Sequence, residues 1–135
     1  MRHKWSGLVA IWAAVTLLPS CGSNQKLLAI NITPAAIVFG ATNPALFAQL
    51  TATGVYEHPP ATKDLTSQVT WASSVTLVAQ VTNAGKINPS TNCGVSTVTA
   101  SLTTNDPTGN VVTGTMSVTV DGPAADNCPT TTPTP

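Results

Sequence analysis

A chain of 135 residues in which 42% are hydrophobic and only 7% charged stands far from the roughly one-quarter charged content of an ordinary soluble domain. Five basic and five acidic side chains give a formal net charge of +0, so no cationic surface exists to neutralise a run of phosphates, and nucleic acid is not expected as a partner. The length suits one compact domain, and the ordinary apolar content with low net charge excludes collagen, coiled coil and disorder of the whole chain.

The chain opens with Met1-Arg2-His3-Lys4, followed by an apolar run from Trp5 to Leu18 broken only by Ser6, Gly7 and Thr16. That run is shorter than the ~20 residues a spanning helix needs, and a basic start before a brief apolar stretch reads as a secretory signal. It ends in Leu18-Pro19-Ser20-Cys21, which resembles the bacterial lipoprotein signal: a leucine three before the cysteine, a small residue directly before it, then the cysteine that is lipidated. Pro19 departs from the small or branched residue usual there, and the competing reading is an ordinary signal peptide with an incidental cysteine. The resemblance implies that residues 1–20 are removed, that 21–26 form a short tether, and that Cys21 carries the anchor to the membrane. Acyl chains contribute ~0.8 kcal/mol per buried methylene, so several on one cysteine hold a protein without a spanning helix. Gly22 stands where an aspartate would, in the enterobacterial sorting rule of lipoproteins, retain the protein at the inner membrane. The expected location is therefore the cell envelope, at the outer membrane or cell surface in a Gram-negative host. After cleavage Lys26, Lys63 and Lys86 face five carboxylates, a net charge of −2.

Beyond the tether the chain is rich in threonine, 23 of 135 residues, and with valine this favours the pleated surface over the helix. In chain order, a strand is expected around Leu28 to Ile32. From Leu46 to Tyr56 the even positions are mostly apolar while Gln49, Thr51 and Thr53 fall on the odd face, a period of two. Phe47 and Tyr56 lie on opposite faces of that run, so one is expected inside and one outside. A strand around Gln68 to Ala72 carries Trp71, the single tryptophan after the leader. Such a residue is either a plug for a sandwich core or an exposed platform for a sugar or protein, and the core reading is favoured. Leu77 to Thr82 gives another strand whose inward face is ambiguous. Val98, Ala100 and Leu102 alternate with threonines and Ser101, and Val112, Gly114, Met116, Val118 and Val120 alternate with Thr113, Thr115, Ser117 and Thr119. These are antiparallel-type strands with one wet face. Pro34, Pro44, Pro59, Pro60, Pro89, Pro107 and Pro123 are expected between the strands, with turns at Asn83-Ala84-Gly85 and Asn105 to Asn110. About seven short strands at regular spacing predict an all-β, immunoglobulin-like two-sheet antiparallel sandwich.

The segments from about Leu27 to Val120 resemble a bacterial immunoglobulin-like group 2 domain, a module of bacterial surface and exported proteins. Its carriers here are Ile30-Asn31-Ile32-Thr33-Pro34, the stretch Gln49 to Tyr56, the run Asp64 to Ser74, then Val78 to Val81 with Asn83-Ala84-Gly85, and Gly94 before Val98-Thr99-Ala100. The most specific is Thr66-Ser67-Gln68-Val69-Thr70-Trp71-Ala72-Ser73-Ser74. The cysteine pair and the long connection from Asn105 to Asn110 depart from the pattern. The resemblance implies a domain over 27–121, followed by a Pro/Thr-rich tail over 122–135, and a structural or protein-interaction role of adhesion type with no catalytic residues to carry over.

With Cys21 taken by lipid, Cys93 and Cys128 are left with one pairing between them. A disulfide there would stabilise the fold by ~4 kcal/mol on chain-entropy grounds, the alternatives being two thiols or a half-built metal site. His58 is remote in sequence from both cysteines and lacks ligand spacing, so no metal, and no other cofactor, is expected. His58 sits in Glu57-His58-Pro59-Pro60 as a solvated turn. No Gly-x-Ser-x-Gly, phosphate loop or second histidine after the leader supports an enzyme. The rival to a passive module is a specific binder of an envelope or extracellular protein or glycan. It would act through loops or an edge strand, with an apolar patch near Phe47, Val55 and Tyr56 to Pro60.

Overall fold

The computed structural model describes residues 25–40 and 46–122. Ten strands run in order: β1 (Lys26–Thr33), β2 (Ala36–Phe39), β3 (Ala48–Gln49), β4 (Thr51–Glu57), β5 (Ala61–Asp64), β6 (Thr70–Ser73), β7 (Ala79–Val81), β8 (Lys86–Pro89), β9 (Gly94–Thr103) and β10 (Val111–Val120). No α-helix occurs among the described residues. The strands pair as β1-β4-β5, β3-β8-β7 and β2-β10-β9-β6. Only Leu50 separates β3 from β4, so the first two groups make one layer and the third makes the other, an immunoglobulin-like β-sandwich.

The excess over seven strands has a physical cause. Two continuous runs are each shared between partners. The run from Lys26 to Phe39 is divided at Pro34-Ala35: β1 pairs antiparallel with β4, and β2 passes to the other layer and pairs with β10. The chain does not reverse at that crossing, so β2 lies parallel to β10, the exception to an otherwise antiparallel sandwich. The second run is divided at Leu50, whose N–H leaves the β4 ladder and donates to the Gly85 carbonyl at 2.8 Å. The short strands β5 and β8 complete the count.

Alternation places the core where the period-two pattern puts it. Val98 and Ala100 of β9 and Met116, Val118 and Val120 of β10 point inward with Phe39, Leu50, Leu65 and Ile87. Outward on the same two strands stand Thr97, Thr99, Thr113, Thr115 and Ser117, matched across the ladder as Thr97–Ser117 and Thr99–Thr115. Leu46, expected on the inward face, is 82% exposed because β3 begins only at Ala48. In the ambiguous segment both Val78 and Ala79 are buried and Gln80 is exposed, since the chain enters β7 from a turn. The two layers touch most closely where β1 crosses β10: a Cβ built on Gly114 would lie 2.2 Å from the Ile30 carbonyl oxygen.

Turns fall where their chemistry predicts. Thr82 to Gly85 closes the β7–β8 hairpin, with Gly85 at φ 73°, a left-handed conformation cheap only for glycine. The prolines punctuate with one adjustment: Pro89 is the last residue of β8, opposite Ala79. It is tolerated because β3 reaches only as far as Ile87 on the other side of β8, so no ladder bond is asked of the missing N–H. Pro44, Pro123 and the tail lie outside the described residues.

Candidate functional site

One end of the sandwich carries an open groove of about 620 Å³. The β1–β4 register sets Lys26 opposite Glu57 and Leu27 opposite Tyr56. The β4–β5 hairpin sets Lys63 opposite Gly54, two residues from Tyr56 on the same face. The Lys63 Nζ therefore reaches over the Tyr56 ring, 4.7 Å from its centroid, a contact worth ~0.5–1 kcal/mol at an exposed site. The connection from Thr104 to Asn110 forms the opposite wall, and Leu27, Leu102 and Pro107 supply apolar lining.

That wall is shaped by Asp106. Its carboxylate accepts from the Thr104 hydroxyl at 2.9 Å, from the Thr108 N–H at 2.9 Å, and from the Thr108 hydroxyl. The Thr108 and Thr104 hydroxyls hold its pKa well down, from the ordinary 3.8 to about 2, since donors to a carboxylate favour the charged form. Asp64 is lowered in the same sense by the Thr66 hydroxyl and N–H. At the neighbouring turn His58 is 81% exposed, with its Nδ1 3.7 Å from Glu57 Oε1. It is a surface residue, as its place in a proline turn indicates. Gln25 joins this turn to the start of β1 by donating to the Pro59 carbonyl at 3.3 Å.

Trp71 is buried in the core, and its indole N–H donates to the Thr66 carbonyl at 2.9 Å. The serines that follow it close a network across the layers. Ser73 donates to the Ala79 carbonyl at 2.7 Å, so its contact with Ser96 at 2.8 Å uses the Ser96 proton. Ser96 then accepts from the Val75 N–H at 3.1 Å, with the Ser74 hydroxyl 3.3 Å away. Ser74 itself exchanges two bonds with the backbone of Thr97, both at 2.9 Å. Ser96, the one buried polar residue among those described, carries no sequence signal beyond its place on the inward face of an alternating strand.

The binder patch expected near Phe47, Val55 and the Tyr56 to Pro60 turn is divided. Phe47 is 54% exposed with Lys86 Nζ 4.1 Å above its ring. Tyr56 is half-buried against the core edge. Nine residues of nearly extended chain, roughly 30 Å, hold the two at opposite ends of the β3–β4 run, and Val55 between them is half-buried. The expectation of one aromatic inside and one outside holds in that weaker form.

Cys93 is disulfide-bonded. The other two cysteines of the chain, Cys21 and Cys128, lie outside the described residues, as does the leader. Among the described residues no group of three or more His, Cys, Asp or Glu side chains is placed to hold a metal ion, and no helix is long and apolar enough to cross a membrane. The groove residues Lys26, Lys63 and Asp106 went unnoticed in the sequence because strand register and a loop bring them together from three distant segments. No known family model and no curated protein matches the chain.

Proposed function

We propose that this chain is an exported bacterial lipoprotein, anchored through lipid on Cys21, whose body is a group 2 immunoglobulin-like module with a structural or protein-interaction role in the cell envelope. The observation that carries the module reading is the use made of Trp71-Ala72-Ser73-Ser74. The tryptophan fills the core, and both serines hold Ser96 and Thr97 of the neighbouring strand. The most distinctive motif is thus spent on filling the core and on tying β6 to β9, with Ser73 also reaching the other layer at the Ala79 carbonyl, and what β6, β9 and β10 turn outward is mainly a coat of threonine and serine. Cys93, already in a disulfide, is assigned to Cys128, since Cys21 is consumed by lipid. A second reading, a specific binder, is favoured at one place, the groove with Lys26, Lys63 and Tyr56.

Intact mass of the protein extracted from host membranes tests this. A mass equal to residues 21–135 plus acyl groups, with Cys93 and Cys128 alkylated only after reduction, is the expected result. A Cys21→Ser protein that kept the same membrane retention and gained no mass difference beyond the substitution would remove the anchor from the proposal.

A further inference from the structure

Only three residues, 22–24, separate Cys21 from Gln25, where the described body begins, so four Cα-to-Cα steps join the two. Fully extended they span at most about 14 Å. If Cys21 is lipidated, the end of the sandwich at which β1 starts is held within that reach of the acyl chains. The groove opens at this same end, lined by Gln25, Lys26, Tyr56, Lys63 and Pro107.

The charges at that end are divided in a telling way. The Asp106 carboxylate spends its acceptor capacity on Thr104 and Thr108, while the half-exposed Glu57, opposite Lys26 in the ladder, lies 3.7 Å from His58. Neither Lys26 nor Lys63 forms an ion pair with a carboxylate among the described residues. They are two of the three lysines in the described body, and the third, Lys86, lies over Phe47 at the other end of the β3–β4 run. Two ammonium groups outside any ion pair, beside a tyrosine that is half polar and half apolar, match a phosphate-bearing interface.

Resting on the lipid-anchor reading, we propose that this groove seats the phosphates of bilayer headgroups through Lys26 and Lys63. The contact would turn the groove end toward the membrane and the Phe47 end away from it. The acyl chains supply retention and the lysines supply orientation.

The test uses lipidated protein from host membranes, inserted into preformed vesicles of phosphatidylglycerol and phosphatidylcholine or kept in dodecyl maltoside micelles, which hold no phosphate. Flotation is checked first. Lysines are then acetylated with a membrane-impermeant succinimidyl ester, and the rate at each is read by mass spectrometry. Lys26 and Lys63 should react about fivefold more slowly in vesicles than in micelles, the factor that roughly 1 kcal/mol per lysine at an anionic surface corresponds to, with Lys86 unchanged. Equal rates in floated protein, or equal slowing of all three lysines, overturn the headgroup contact while leaving the anchor standing. Slowing of the same size in micelles with inorganic phosphate would mark a site for soluble phosphate and also overturn it. Failure to float removes the anchor and the proposal together.

Discussion

Ser96 shows how much one side chain can carry when it is the polar residue in an apolar layer. Its hydroxyl bonds Ser73 and receives the Val75 N–H, tying the end of β6 to β9. Removing the oxygen leaves the part-buried Val75 N–H without its acceptor, which costs ~1–3 kcal/mol, whereas a serine to alanine change on the outer face should fall within about 0.5 kcal/mol. Ser96→Ala should therefore lower the urea midpoint clearly while Ser117→Ala, on the exposed face of β10, barely moves it. A small effect at Ser96 would mean that Val75 finds water instead. Trp71 was legible in advance because a lone strand tryptophan has few other places in a sandwich. Ser96 was not, because nothing in an inward-pointing serine announces which hydroxyls will meet it.

Among the elements, the crossing of β1 over β10 has the least room. A methyl on Gly114 meets backbone at Ile30, which cannot rotate away, so Gly114→Ala should cost ~1–3 kcal/mol as overpacking, read as a fall in thermal midpoint. Gly109 has the left-handed φ of 59° but open space around it, so substitution there should disturb the β9–β10 connection and leave the core intact. That connection is also where pH acts. Asp106 is depressed from 3.8 to about 2 in the folded chain, so the support its carboxylate gives the loop is complete above the higher value and disappears as pH falls through the lower one. A carboxyl-shift titration by NMR should place its midpoint near 2, and the protection of the Thr108 amide should follow that curve. A midpoint at the ordinary 3.8 would show the loop bonds absent in solution. Alternation made β10 readable to within a residue, and β9 from Thr97 onward, three residues after its start at Gly94. The division of single runs at Pro34 and Leu50 was not readable, because a change of partner leaves the period of the side chains unaltered.

At the scale of the molecule the open question is what holds the Cys93 end of the sandwich. Cys93 is oxidised, and the proposed pairing with Cys128 would close a loop worth ~4 kcal/mol. Cys128→Ser should then free one thiol at position 93, detected by alkylation without reductant, and lower stability on that scale. If Cys21→Ser freed it instead, the leader cysteine would be structural and not lipidated. What the residues by themselves determined is the β class, the inward and outward faces of the long strands, the tryptophan core and the hairpin turns. Each depends on neighbours two to four positions away and on local backbone chemistry. The parallel β2–β10 pairing, the Ser73–Ser74–Ser96 network and the groove joining Lys26, Lys63 and Asp106 were decided only by the tertiary structure. They depend on which distant strands share a ladder, and that follows from how the two apolar layers bury each other as a whole.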